Sequence, residues 1–461
     1  MKTLIKGGKV VNADGSRMAD VLLEGERIAK VGESLDTPAD RVIDASGKLV
    51  IPGGIDVHTH FDLPFGGTVS SDNFDTGQKA AAFGGTTCHL DFAIQTHGHP
   101  LAEAIDLWHE KAEGKASIDY GFHIAITDMN DDVMKELATL PDLGITSLKL
   151  FMAYKNLFMV DDETLFRTLL AARELGLLTC VHAENGDVID VLVAQMLAEN
   201  KTDPLYHAKS RPHWAEAEAT GRAAALAAIA DAPLYVVHLT CASALDQVRM
   251  ARSKGVKVTA ETCPQYLFTT EEDLARPNFE GAKYVCSPPV RTKADQAALW
   301  DGLIDGNLAC VSTDHCSFNF KGQKELGRGN FTKIPNGLPG IEDRLMVLYH
   351  HGVAGGKISP ERWVEISSTN PAKNFGMYPR KGVIAEGSDG DLVVWNPEKE
   401  HTISAKTHHM NVDYNLYEGM RVKGVPEVVF SAGRLLVENG EFKGKTGAGR
   451  FVKRNPVHEV S

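Results

Sequence analysis

Pro52-Gly53-Gly54-Ile55-Asp56-Val57-His58-Thr59-His60 is the stretch on which the reading of this 461-residue chain turns. In an extended strand, side chains two residues apart share a face, so His58 and His60 project together while Val57 and Thr59 project the other way. Two neutral imidazoles so placed form a claw for zinc or a neighbouring transition metal. The preceding Gly53-Gly54 leaves room for close backbone packing at the start of the strand. A His-x-His pair also occurs on exposed strands, so the metal reading requires further ligands elsewhere in the chain.

Upstream of this stretch lie short strands and turns: Thr3-Leu4-Ile5, Lys9-Val10-Val11, a turn at Ala13-Asp14-Gly15-Ser16, and a hairpin over 21–29. The segment is too small to fold alone. Stretches of the same character recur at the far end, over 387–395 and 427–437. We therefore expect one small β-sandwich domain formed from both termini, residues 1–52 and 375–461, around a central domain of residues 53–374.

That central region alternates apolar strands with helical stretches, the pattern of a parallel sheet with crossover helices. Strands are expected to end near His60, Ile94, Thr127, Phe151, Glu184, Thr240, Leu267 and Cys316. Eight strands over this length give an α/β fold, a (β/α)8 TIM-like barrel. Helices are expected over 162–175, with acidic residues in its first turn, and over the alanine-rich 214–230. No internal repeat, low-complexity segment or flexible linker stands out.

Composition limits the class of function. With 43% hydrophobic and 24% charged residues the chain reads as an ordinary globular protein. A net charge of −13 gives an acidic surface that repels phosphate, so neither nucleic acid nor an anionic membrane is expected as a partner. Seven cysteines without a CxxC pair read as reduced thiols in a cytoplasmic setting. The N-terminus has no apolar run of signal-peptide length, and the most apolar region, 223–237, is broken by Asp231 and Pro233.

Active sites of such barrels lie at the C-terminal ends of the strands. The polar residues that emerge there are His58, His60, Lys149, His182, His238 and Asp314. Singly, a histidine can be a hydrogen-bonded core residue and Asp314 a helix cap. Four separate strands ending in ligand-type residues are harder to explain by packing. Lys149 sits in the apolar strand Ser147-Leu148-Lys149-Leu150-Phe151-Met152, where a buried ammonium costs several kcal/mol or loses its proton. As a neutral amine it can combine with carbon dioxide to give an anionic carbamate, N6-carboxylysine, whose two oxygens can bridge two metal ions.

At these residues the chain resembles the cyclic amidohydrolases, in particular the dihydropyrimidinase and D-hydantoinase family. The resemblance runs through Asp56-Val57-His58-Thr59-His60-Phe61-Asp62-Leu63-Pro64-Phe65-Gly66-Gly67, Lys149-Leu150-Phe151-Met152-Ala153-Tyr154, His182-Ala183-Glu184-Asn185, Glu261-Thr262-Cys263-Pro264-Gln265-Tyr266-Leu267, Ser312-Thr313-Asp314-His315-Cys316 and Asn336-Gly337-Leu338-Pro339-Gly340. It implies that His58, His60 and Asp314 hold one divalent metal ion, that His182 and His238 hold a second, and that carboxylated Lys149 bridges them. Zn2+ is the first expectation, although manganese, cobalt and iron accept the same ligands. The resemblance also implies that Tyr154 donates a hydrogen bond to the substrate carbonyl, that backbone groups of Ser287 and Asn336 position the ring amide, and that the protein is a homotetramer.

The expected activity is metal-dependent hydrolysis of a cyclic amide, a 5,6-dihydropyrimidine or a 5-substituted hydantoin, to an N-carbamoyl amino acid. The nucleophile would be a metal-bridging hydroxide, with Asp314 carrying its proton to the leaving nitrogen. Leu63, Phe65, Phe151 and Phe158 are expected to line the wall facing the ring's exocyclic substituent. Dihydroorotase relatives carry Arg two residues beyond the second histidine; here that residue is Asp62, whose carboxylate would repel an anionic substrate. Allantoinase-type ring opening is an alternative, as is a non-catalytic scaffold like the collapsin-response mediator proteins, which the intact ligand set opposes.

Overall fold

The structure, a computed structural model, describes residues 1–460. Strand β1 (Lys2–Asn12) turns at Asp14-Gly15 into antiparallel β2 (Gly15–Glu24), which pairs with β3 (Arg27–Gly32). Strands β4 (Arg41–Asp44) and β5 (Leu49–Pro52) lie parallel to β1. The chain then enters the barrel.

Eight parallel strands follow: β6 (Gly54–Thr59), β7 (Thr86–Ile94), β8 (Asp119–Ala125), β9 (Ser147–Phe151), β10 (Leu178–His182), β11 (Leu234–Val236), β12 (Val258–Thr262) and β13 (Cys310–Val311). Each pairs with its neighbour in sequence. The seam between β13 and β6 is drawn together at both ends. The His60 N–H donates to His315 O at 2.8 Å, and buried Arg344 donates to Ile55 O and Val311 O, each at 2.9 Å. Gly53 is required at the barrel's start, because a Cβ there would lie 2.0 Å from Thr87 Oγ1.

Three strand ends differ from the sequence reading, the first being the sixth strand, which stops at Val236 and not near Thr240. The seventh strand stops at Thr262, not near Leu267, because Pro264 opens a short helix (Pro264–Phe268) behind Cys263. Proline's fixed φ and missing N–H suit a first helical turn and cannot continue a central strand. The eighth strand has only two residues, and the chain leaves it before Asp314, whose φ is +51°. Both expected helices are present: Asp162–Leu175 is capped by the Asp161 side chain accepting from the Thr164 N–H, and His213–Ala230 buries Ala223, Ala224 and Ala227.

After the barrel, β14 (Leu392–Thr402) pairs antiparallel with β5, and β15 (Arg421–Ser431), β16 (Arg434–Glu438) and β17 (Glu441–Phe442) extend the same sheet. Both termini thus build one separate, mostly antiparallel nine-stranded sheet. It encloses its own core of Ile5, Val21, Leu23, Val50, Leu392, Val394 and Phe430. Each such side chain contributes roughly 1.5–3 kcal/mol when fully buried.

Two stretches leave that sheet for the barrel. Ile403, Met410, Val412 and Tyr414 join the barrel's apolar core. Beyond Gly449 the chain crosses the barrel floor, where Val452 N–H donates to Tyr120 O (2.7 Å), Arg454 N–H to Gly144 O (3.0 Å) and Val457 N–H to Gly176 O (2.8 Å). All seven cysteines are free and buried. No helix among the described residues is long and apolar enough to cross a membrane.

Candidate metal centre

His58 ends β6 with both ring nitrogens committed. Nδ1 lies 2.5 Å from Glu261 Oε1, and a carboxylate there holds the proton on Nδ1, leaving the Nε2 lone pair aimed into the barrel mouth. That Nε2 is 3.1 Å from Asp314 Oδ1, and His60 Nε2 is 3.2 Å from the same oxygen. All three residues are buried or nearly so, and their ligand atoms lie within 4.8 Å of one another. Burial works against a charged His58, but the Asp314 and Glu261 carboxylates on either side of it prevail and raise its pKa to about 9. Burial holds His60 below its usual range, and although burial opposes it, the His58 ring holds the Asp314 carboxyl well below its own.

A second group stands beside the first. The His182 Nε2–H donates to Glu184 Oε2 at 2.7 Å, so the Nδ1 lone pair points inward, 2.9 Å from His238 Nε2. Burial depresses both imidazoles, and for His238 the His182 ring depresses it further. Glu184 is held ionised down to about 2: burial opposes this, and the Arg211 guanidinium overcomes it. The two groups share one site, since the His58 and His238 ring centroids are 5.3 Å apart.

Lys149, at the middle of β9, is 1% exposed, and its Nζ is buried without a hydrogen-bond partner. It stands 5.3 Å from the Phe92 ring centroid and 5.1 Å from that of Phe151. Burial pushes the amine down to about 8. An apolar cage around an amine of this kind favours the neutral, nucleophilic form.

These atoms fit a cationic cofactor. Ring nitrogens of four imidazoles and a carboxylate oxygen face one another at 2.9–3.2 Å, and the Nδ1 atoms of His60 and His238 are buried without a hydrogen-bond partner, a donor set that a bound cation would satisfy. His58 and His182 each carry the carboxylate partner on the opposite ring nitrogen that metal-binding histidines use. The backbone is also strained where such strain sets side-chain direction, with φ of +39° at His238, +51° at Asp314 and +66° at Tyr154.

The pocket above this cluster holds about 510 Å³ of empty space, the open solvent at its mouth included. Every residue expected to hold metal, act in catalysis or contact substrate lines it: His58, His60, Leu63, Phe65, Lys149, Phe151, Tyr154, Phe158, His182, His238, Ser287, Asp314 and Asn336. Phe65 and Phe158 stack at 6.1 Å, and Phe151 meets Phe158 at 5.3 Å, forming one aromatic wall. Opposite, Asn336 Nδ2–H donates to Ser287 Oγ at 3.1 Å. Ile94, Cys316 and Gly337 complete the lining.

Asp62 behaves differently from the sequence reading. Its φ of +52° turns the chain, its carboxylate accepts from the Phe74 N–H at 3.4 Å, and it is not among the residues lining the pocket. It therefore supplies no carboxylate against a bound anion. Residues that the sequence reading left without a role are Glu261 and Glu184. Each is a carboxylate at the end of an apolar barrel strand, a placement that itself signals a buried partner.

The Amidohydrolase family model matches residues 49–436. The chain is 54% identical over 455 residues to the D-hydantoinase of Geobacillus stearothermophilus, covering 98% of this chain and 97% of that one. It is 44% identical over 466 residues to the dihydropyrimidinase of Rattus norvegicus, covering 99% and 90%. The crystal structure of dihydropyrimidinase from Brevibacillus agri NCHU1002 superposes with a TM-score of 0.98 at 57% identity, covering 99% of both chains.

Proposed function

The chain belongs to the amidohydrolase family and is a cyclic amidohydrolase of its hydantoinase and dihydropyrimidinase group; from that premise we propose that it opens 5,6-dihydropyrimidine and 5-substituted hydantoin rings to N-carbamoyl amino acids at the His58–Asp314 cluster. The observation that carries this reading is the convergence of four imidazoles, the Asp314 carboxylate and the unpartnered Lys149 amine at one barrel mouth.

In this reading His58, His60 and Asp314 would hold one divalent ion and His182 and His238 the other, with Lys149, as a carbamate formed from carbon dioxide, as a ligand they would share. Zinc suits the imidazole-rich set. Bound there, the two ions supply a water deprotonated near neutral pH and polarise the carbonyl it attacks.

The chain's own groups do the rest. Backbone groups of Ser287 and Asn336 orient the ring amide, and the Tyr154 hydroxyl donates to the carbonyl oxygen as negative charge develops on it. Burial keeps that phenol above its usual range, so it stays a donor. Asp314 takes the proton released by the nucleophile and returns it to the ring nitrogen as the C–N bond breaks. The carbonyl carbon leaves as a carboxylate and the nitrogen as part of a carbamoyl group. The aromatic wall of Phe65, Phe151 and Phe158, with Leu63, faces the exocyclic substituent and excludes bulk water from that side.

The same reading takes the protein as a cytoplasmic homotetramer. Seven buried thiols suit a reducing compartment, and the exposed Val188 and Val191 on helix Gly186–Ala198 suit a covered face. Sedimentation of the purified protein tests the assembly.

Side-by-side hydrolysis of dihydrouracil, hydantoin, allantoin and dihydroorotate tests the substrate class. Turnover of the first two well above the others is expected. Preferential turnover of allantoin or dihydroorotate would overturn the assignment.

A further inference from the structure

Ser287 and Asn336 reach the pocket on two irregular segments that no regular strand or helix supports. Behind both lies Lys324, with 0% exposure. Its ammonium donates to three carbonyls, Val285 O at 2.9 Å, Pro335 O at 2.7 Å and Gly337 O at 2.7 Å. The three N–H groups of an ammonium are thereby all used. Burying a cation against carbonyls, with no carboxylate to balance it, is costly, and burial pushes this amine down to about 7. A methionine would fill the same space without that cost.

The carbonyl pattern shows what the ammonium holds. Capture of the Pro335 and Gly337 carbonyls fixes the backbone on both sides of Asn336, which lines the pocket. On the other segment Val285 O goes to Lys324 and Cys286 O accepts from His207 Nε2 at 2.8 Å, which leaves Ser287 as the next residue facing the pocket. The segments also touch directly, Gly337 N–H donating to Val285 O at 3.1 Å. Gly337 is seated so tightly that a Cβ would lie 2.4 Å from Cys316 O.

We propose that Lys324 is a positioning residue for the substrate: it clamps segments 285–287 and 335–337 at the separation at which Ser287 and Asn336 grip a planar ring amide from both sides. This rests on the reading of Ser287 and Asn336 as the amide-positioning pair.

The test is steady-state kinetics of metal-loaded Lys324→Met and Lys324→Arg beside the wild type, with dihydrouracil and hydantoin, and with metal content measured on the same samples. Lys324→Met should raise KM about tenfold or more at unchanged metal content, with a smaller fall in kcat. A role confined to folding would lower yield and leave the KM of the active fraction unchanged. Lys324→Arg keeps the charge but is too wide to meet three carbonyls at these distances, so it decides the matter should the methionine variant not fold. A KM rise below about threefold in the deciding variant overturns the proposal, as does failure of both variants to give folded, metal-loaded protein. An active wild type with unchanged variant KM sinks the clamp alone; a wild type inactive on every cyclic amide sinks the functional reading with it.

Discussion

Lys149 is where residue-scale chemistry is most exposed to test. A side chain that is caged by Phe92 and Phe151, lacks a hydrogen-bond partner and has its amine pushed to about 8 gives up its proton far more readily than a free lysine. Lys149→Ala should lower activity by at least about 1,000-fold and reduce metal occupancy, because it removes the carbamate that in the proposed reading would join the two halves of the site. Acetate or propionate, which can supply two carboxylate oxygens to the vacated space, should restore part of the activity, measured as turnover against added acid. Phe158, partly exposed and stacked on Phe65, is proposed to act on selectivity rather than on the metals. Phe158→Ala should change the ratio of rates on small and bulky 5-substituted hydantoins while leaving metal content intact, and equal relative rates would assign Phe158 to packing.

At the scale of the element, the strand ends do the positioning, and this is also where the sequence was most and least readable. His58, His60, Lys149 and His182 were legible because each stands out as a polar residue in or at the end of an apolar strand, at spacings that fit whole βα units. Their partners were not legible as partners. Glu261 lies on β12, and no local pattern shows that its Oε1 meets His58 Nδ1 or that its Oε2 accepts from Tyr235 Oη–H at 2.9 Å. Asp62 was misread for a related reason: it stands where dihydroorotase relatives carry Arg, but a positive φ turns the chain there and its side chain does not line the pocket. Glu261→Gln keeps the shape and removes the charge that fixes the His58 tautomer. Metal affinity should fall about 10- to 100-fold, read by competition with a chelator; an unchanged affinity would mean that His58 is oriented by packing alone.

Across the whole molecule, the terminal sheet and the barrel are joined by buried polar contacts as well as by apolar packing. Lys381 pairs with Asp391 of the sheet at 2.6 Å and Asp119 of the barrel at 2.8 Å. Asp343, just after the barrel, accepts from Asn415 Nδ2–H at 2.8 Å on the stretch that returns from the sheet. Burial and the neighbouring Glu342 carboxylate push Asp343 up to about 8 from 3.8. Between those values the folded chain keeps a proton that the unfolded chain has released, so this residue's contribution is full below pH 3.8 and is lost as the pH rises through about 8. Asp343→Asn removes that dependence. Its melting temperature should exceed the wild type's by on the order of a few degrees more at pH 8 than at pH 4; a gap that stays constant with pH would show that Asp343 is ionised in the fold. The two-part architecture was legible from matching strand character at both termini, whereas the crossing of the barrel floor by residues 450–457 was not, since those contacts are backbone hydrogen bonds that leave no residue signature.

The account's central claim is that ring opening here depends on metal held by this set of side chains. Protein purified without chelator should be assayed on dihydrouracil and hydantoin while its divalent metal content per chain is stepped down and then restored. The account predicts two ions per chain in the active enzyme, with activity falling and returning as the site is emptied and refilled. Full ring-opening activity in protein stripped of divalent metal would contradict it.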